Sequence, residues 1–332
     1  MNNKWKVATS VAIALLLALT TACGNGGDKN KQADGLNNVT VVLDWVPNTN
    51  HTGLYVARDK GFYEEEGLNV EIILPGDAGS DKLVAAGNAE FGVSVQENVT
   101  LARSENVPIV SIAAVIQHNT SGFAAPVDKQ IRSPKDFEGK VYGGWASPVE
   151  EAMIDSLMQN EGADPSKVTS VSIGTADYFT AVKRDIDFAW IFYAWTGIEA
   201  ELRNEPLDMI YLRDYAEELD YYTPVLITSE QIIADQPELV EAFMRATARG
   251  YQLAIDDPLA AAEVLIAAEP DLDEQLVKAS QQWLSPMYQD DAPQWGEQKP
   301  EVWQSYLDWM ISYGMLEEGL DLSKAFTNDF LP

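Results

Sequence analysis

Cysteine occurs once in these 332 residues, at Cys23, and histidine twice, as His51 and His118. An intramolecular disulfide is therefore impossible. A zinc site built from imidazole and thiolate ligands is not expected, and no metal or cofactor is assigned. Serine-histidine catalysis has only those two histidines to draw on, and no Gly-x-Ser-x-Gly elbow accompanies them. Phosphate-cradling glycine loops of either common spacing are also missing. Basic side chains are scarce, with 22 Lys and Arg against 52 Asp and Glu, for a formal charge of −30. Nucleic acid binds by releasing counterions to Lys and Arg, so it is excluded as a partner. An anionic membrane surface is disfavoured on the same ground. Beyond residue 22 no apolar run reaches the roughly 20 residues of a spanning helix. Hydrophobic content of 46% and charged content of 22% still describe a folded globular chain. Its length exceeds what one core usually serves, about 250 to 300 residues, so two packed lobes are expected.

Lys4 and Lys6, an apolar stretch from Val7 to Leu19 and small residues up to Ala22 predict a secretory signal peptide over residues 1–22. Thr20-Thr21-Ala22-Cys23 is similar to a bacterial lipobox, which makes Cys23 the expected lipidated N-terminus. The alternative is a plain secreted protein with a free thiol. Residues 23–37 are polar and glycine-rich and read as a flexible tether. The expected location is extracytoplasmic, anchored to the cell membrane as a lipoprotein.

From Asn38 onward short apolar runs alternate with helical patterns: a strand at Val39–Leu43, a helix near Thr52–Asp59, a strand near Val70–Leu74, a helix near Ser80–Ala86 and a strand at Phe91–Val95. Gly61 and Gly87 sit where helix C-termini take glycine, while Ser133-Pro134 and Ser147-Pro148 read as helix starts. A second α/β unit follows, with strands near Val141, Val168–Ile173 and Phe188–Phe192. The chain then turns helical, near Pro237–Ile255, Pro258–Ala268, Glu274–Trp283 and Pro300–Ser312. This gives an α/β fold with lobe 1 formed by residues 38–122 and 225–332, lobe 2 by residues 123–224, and a cleft between them.

Aromatic density stands out, with nine tryptophans and thirteen tyrosines, several at strand ends. In open α/β sheets the strand-to-helix loops face the ligand. The first such loop runs Leu43-Asp44-Trp45-Val46-Pro47-Asn48-Thr49-Asn50-His51. Trp45 beside this polar turn is a stacking face or a core residue, and Asn50 a ligand group or a helix cap. The second runs Tyr142-Gly143-Gly144-Trp145-Ala146-Ser147-Pro148. Here Glu150, three residues beyond Ser147, is either the far half of a capping box or a ligand group. The third is Phe188-Ala189-Trp190-Ile191-Phe192-Tyr193-Ala194-Trp195, in which alternation sets Trp190 and Phe192 apart from Ile191 and Tyr193. Trp195 is expected in a loop beyond the strand. Tyr222 lies where the chain returns between lobes.

With these motifs the chain resembles solute-binding lipoproteins of ABC transporters that take up thiamine pyrimidine precursors, a branch of the periplasmic-binding-protein-like superfamily (type II). The segments Leu43–His51, Tyr142–Trp145, Trp190–Phe192 and Ala325–Phe330 carry the resemblance, which spans Val39 to Pro332. It implies two α/β lobes closing over a formylated aminomethylpyrimidine, with ABC permease subunits as partners and a monomeric state. The same superfamily includes fungal enzymes that build the pyrimidine from pyridoxal phosphate and a histidine of their own. Where those carry a lysine and that histidine, this chain aligns Ser94 and Asn98, so synthesis is not expected. An aminopyrimidine needs stacking faces and edge hydrogen bonds. Trp45, Trp145, Tyr178 and Trp195 are the candidate faces, Asn50, Gln96, Glu97 and Glu150 the candidate edge groups, with His51, Tyr55, Trp190 and Tyr222 alongside. Hydroxymethylpyrimidine and intact thiamine are alternative ligands. Sulfonate, taurine or nitrate would need Arg or Lys in these loops, and none occurs there before Lys183.

Overall fold

The computed structural model describes residues 35–174 and 176–332. The expected signal peptide, Cys23 and most of the tether lie outside the described residues. The chain opens with β1 (Asn37–Val42), α1 (Thr52–Asp59), α2 (Phe62–Glu65), β2 (Leu68–Ile73), α3 (Ser80–Ala85), β3 (Phe91–Ser94), α4 (Gln96–Ser104) and β4 (Ile109–Ala114). It crosses into a second half with β5 (Ser121–Pro126), β6 (Val141–Gly144), α5 (Pro148–Asn160), β7 (Thr169–Ser172), α6 (Tyr178–Val182), β8 (Phe188–Phe192), α7 (Ile198–Arg203) and β9 (Leu207–Tyr211). It then returns through β10 (Val225–Ser229), α8 (Glu230–Asp235), α9 (Pro237–Asp256), α10 (Pro258–Ala268), α11 (Glu274–Leu284) and α12 (Pro300–Ser312).

The strands form two five-stranded sheets, ordered β2-β1-β3-β10-β4 and β7-β6-β8-β5-β9. In each, three parallel strands meet one antiparallel strand, β10 or β5, at the fourth place. Because helices cover both faces, central strands are buried throughout: all four residues of β3 and all five of β10 are buried. Ser133-Pro134, read as a helix start, instead opens a short 3-10 turn, Pro134–Phe137, closed by Ser133 and Asp136. Tyr193–Gly197 is a π-helical turn leading into α7, which replaces the loop expected around Trp195.

α1 and α9 are pressed together by two glycines. A Cβ on Gly250 would lie 2.0 Å from the carbonyl oxygen of Gly53, and one on Gly53 would lie 2.3 Å from the Tyr251 ring. Phe243, also on α9, stacks on Phe91 of β3 at 3.8 Å. α12 straddles the halves: Trp303 packs with Val42 and Ile227 of the first sheet, whereas Tyr306, Trp309 and Met310 join the core around Phe123 and Tyr142 of the second.

Two crossing segments join the halves, residues 115–120 and 212–224. Val115 N–H donates to the Pro224 carbonyl (3.0 Å), and Asn119 Nδ2 donates to the Leu219 carbonyl (2.9 Å). His118 sits at the crossing with Nδ1 2.5 Å from Asp220 and Nε2 3.3 Å from Asp291. Both ring nitrogens face carboxylates, so both act as donors. Those carboxylates raise the His118 pKa above its ordinary value, with the Asp220 hydrogen bond the largest cause and partial burial opposing it.

Candidate functional site

The cleft between the halves is where the three aromatic segments converge. Its inner compartment, about 340 Å³, is lined by Asp44, Trp45, Asn48 and Asn50 from the first loop, by Asn98 from α4, by Thr120 and Thr223 from the crossings, and by Trp145, Trp190 and Trp195 from the second half. An outer compartment of about 530 Å³ shares Trp45, Trp145, Trp190 and Trp195 with it. No Lys or Arg lines either one. Larger cavities lie at the Arg103–Lys324 corner and behind α6, but neither is reached by loops of both halves.

Trp45 and Trp145 are 57% and 61% exposed, far from the usual fate of tryptophan in a core. Each loop has a different device for holding its indole out. In the first, Asn48 Oδ1 accepts from Asn50 N–H (2.9 Å) and its own N–H donates to His51 Nδ1 (3.2 Å). Nδ1 therefore has no hydrogen, and Nε2 donates to Asp44 Oδ1 at 2.7 Å. The fully buried His51 thus orients a carboxylate that reaches the cleft. Helices buttress the turn from behind: Tyr251 and Tyr288 hydroxyls donate to the Asn50 and Thr49 carbonyls.

In the second loop Glu150 turns back under the strand end. Its carboxylate accepts from the Tyr142 hydroxyl (2.9 Å), Trp145 N–H (3.0 Å) and Ser147 N–H (3.0 Å). Gly144 is needed there, because a Cβ would lie 2.6 Å from both Glu150 Oε1 and the Tyr142 hydroxyl oxygen. Ala146 adopts φ +60°, a left-handed strain of about 1 kcal/mol that throws Trp145 outward. The halves also meet at the far side of the cleft, where Tyr193 and Trp283 lie 5.1 Å apart and Ser280 bridges Thr49 to the Ala194 carbonyl.

Trp45, Asn50, Trp145, Tyr178, Trp190 and Trp195 line the cleft as expected positions, but six other expected residues do not. His51 stands behind Asp44. Tyr55 is buried and donates to Glu269 (2.7 Å) on the remote side of α1. Gln96 is spent on the return crossing, accepting from Tyr222 N–H (2.9 Å) and donating to the Val302 carbonyl. Tyr222 is buried there too, its hydroxyl accepting from Lys299 N–H. Glu150 is a cap, and its neighbour Glu97 is enclosed beside Tyr306. Burial pushes the Glu97 carboxyl up to about 7, with the Glu150 charge adding to the rise and Tyr306 opposing it. Asp44, Asn48 and Asn98 are among the cleft groups missing from the expected set. The signal for Asn98, in the first turn of α4, was the alignment of its position with the histidine of the synthases.

The arrangement stacks flat rings and offers acceptors at its floor. Asn98 Nδ2 donates to Asp81 (3.1 Å), and the residue lines the inner compartment together with Asp44. Among the described residues no group of three His, Cys, Asp or Glu side chains is placed to hold a metal ion. Ser94, at the position aligned with a synthase lysine, is buried and outside the lining.

The NMT1/THI5-like family profile matches residues 48–261. The chain belongs to that family. Within reach of the NMT1/THI5-like chain is a formylaminopyrimidine-binding protein of Halalkalibacterium halodurans, 29% identical over 95% of this chain and 97% of the relative. A 4-amino-5-hydroxymethyl-2-methylpyrimidine phosphate synthase of Legionella pneumophila is 28% identical over 89% of this chain and 92% of its own. The fold matches the alkanesulfonate-binding protein SsuA of Xanthomonas axonopodis pv. citri, with a TM-score of 0.65 at 13% identity over 87% of this chain and 98% of that one. The two-lobed α/β fold of periplasmic binding proteins is thereby established for this member of the family.

Proposed function

We propose that this protein is the extracytoplasmic solute-binding component of an ABC importer and captures a thiamine pyrimidine precursor such as N-formyl-4-amino-5-aminomethyl-2-methylpyrimidine. The observation that carries the reading is a cleft walled by four tryptophans, floored by the oriented Asp44, and lined by no cationic side chain. The rings stack an aminopyrimidine, and Asp44 with Asn98 accepts from its exocyclic amine. Each such acceptor that a wrong ligand covers and leaves unpaired costs about 1–3 kcal/mol, which gives selectivity. A sulfonate or nitrate would face carboxylates with no Arg or Lys to meet it. A pyridoxal-dependent synthase would need an amine where Ser94 stands. The lobes, residues 38–122 with 225–332 and residues 123–224, move about the two crossings, and a lipid on Cys23 keeps the monomer beside its permease. Membrane partitioning that survives Cys23→Ala would remove the anchor from this reading.

The test is thermal unfolding of the full chain with the formylaminopyrimidine, hydroxymethylpyrimidine, taurine and nitrate. Ligand at 100 times its Kd adds about 2.7 kcal/mol. For a body of about 300 residues, with an unfolding entropy of about 2.1 cal/mol/K per residue, that is a rise of about 4 °C. A rise with a pyrimidine and none with the anions is expected; a rise with taurine or nitrate alone overturns the reading.

A further inference from the structure

His51 orients Asp44 without cancelling its charge. With Nδ1 accepting from Asn48 N–H (3.2 Å), only Nε2 carries a hydrogen, and the ring that donates it to Asp44 Oδ1 (2.7 Å) is neutral. Among the described residues no Lys or Arg pairs with Asp44, and none lines the inner compartment. The Asp44 side chain is 27% exposed and belongs to that lining. The elements packed around it bring no cation either. From α3, Asp81 accepts from Asn98 Nδ2 (3.1 Å). Burial raises the Asp81 pKa, Ser94 and Asn98 oppose the rise, and the charge acting on it is the negative one of Asp44. From α9, the Tyr251 hydroxyl donates to the Asn50 carbonyl (2.8 Å) and is held neutral, with burial the largest cause and Asp44 among the others. Across the compartment stand the uncharged rings of Trp145, Trp190 and Trp195.

A ligand that fills the compartment takes water away from Asp44, and a carboxylate in a drier place needs a positive partner or a proton. A 4-aminopyrimidine can bring that partner itself, because a ring nitrogen of such a base takes up a proton in mildly acid water. Stacking on indole faces adds to the preference, since the protonated ring is a cation. We propose that the inner compartment holds the aminopyrimidine in its ring-protonated form, as the counter-ion of Asp44, so that one proton is taken from solvent as each ligand binds. The proposal deepens the pyrimidine reading and rests on it. Selection then falls on the basicity of the ring as well as on its shape: a flat ring of the same outline without a basic nitrogen leaves Asp44 unanswered.

Two measurements on the full chain test this, with whichever of the formylaminopyrimidine and hydroxymethylpyrimidine binds more tightly. Calorimetry in buffers of different ionisation enthalpy counts the protons taken up, and NMR of ligand labelled at its ring nitrogens shows whether the ring holds them. Uptake of about one proton per ligand at pH 7 is expected, with a Kd that rises about tenfold from pH 6.5 to pH 8. The ring-nitrogen resonance of the bound ligand should sit at the position of the protonated base. Asp44→Asn keeps an acceptor for His51 Nε2 and should return the bound ring to its neutral resonance. Glu97→Gln is the control, because the Glu97 carboxyl is pushed up to about 7 and titrates in the same range; uptake should survive it. A neutral ring in the bound parent overturns the proposal and leaves the pyrimidine reading standing. Uptake lost in Glu97→Gln, or a ring still protonated in Asp44→Asn, does the same. If neither pyrimidine binds, both readings fall.

Discussion

The two loops that present Trp45 and Trp145 are built from the same parts, yet their carboxylates do different work. Each follows a parallel strand, precedes a helix and carries one acid close to one indole. Asp44 is held from behind by a single histidine hydrogen bond and keeps lone pairs free for the cleft. Glu150 gives its oxygens to one hydroxyl and two backbone N–H groups and has none to spare. Proximity to a site is therefore a poor guide to an acid's role; the number of donors already bound to it decides. A carboxylate with several internal donors shapes the loop, and one with a single donor can recognise a ligand.

Four variants would break or sharpen this contrast. The largest effect is expected from Glu150→Ala, which strands the Tyr142 hydroxyl and the N–H groups of Trp145 and Ser147 in a buried place. A loss of about 3–5 kcal/mol in urea unfolding is expected; an unchanged midpoint would show that water replaces the carboxylate. Asp44→Asn should leave folding nearly intact and weaken pyrimidine binding about thirtyfold, near 2 kcal/mol, in calorimetry. Equal affinity would assign Asp44 the same structural role as Glu150.

Glu97→Gln probes the charge behind the second loop. The folded protein holds the Glu97 proton more tightly than the unfolded chain, so stability should fall as pH rises from about 4.5 to about 7 and then level off. The variant should lack that fall and be more stable at pH 8, by no more than about 3 kcal/mol. Parallel Tm curves for the two proteins would refute the assignment. The smallest effect is expected from His118→Gln at the crossing between halves. The raised pKa means that the imidazolium's contribution is complete at low pH and disappears as pH rises through the folded-state value. The variant should be about 1 kcal/mol less stable at pH 5 and converge on the parent in alkali; a constant difference would point to packing instead.

Much of this molecule is readable from local pattern. β8 spans Phe188–Phe192 as read, and α10 and α12 begin at Pro258 and Pro300, where proline at the first helical position costs no hydrogen bond. The tryptophans of the cleft are legible because a large aromatic at a strand end has little else to do. The polar residues are not, because their partners lie far along the chain. The Tyr55 hydroxyl finds Glu269 and the Gln96 amide finds Tyr222, pairs separated by 214 and 126 positions. Only the crossings and the return helices bring those groups together, and no local spacing foretells them. Glu150 was the intermediate case: Ser147 three residues earlier announced the cap, but the Tyr142 hydroxyl that completes its occupation comes from the neighbouring strand.

The outward set of Trp45 and Trp145 also has an optical consequence. Both indoles stand largely in water, whereas the cleft between them is aromatic and acidic. A ring settling against them exchanges water for a polarisable face, so their fluorescence is expected to shift to the blue as the site fills. Ligand exchange can then be followed in real time in the unlabelled protein, and single replacement of either tryptophan by phenylalanine separates the signal of one wall from that of the other.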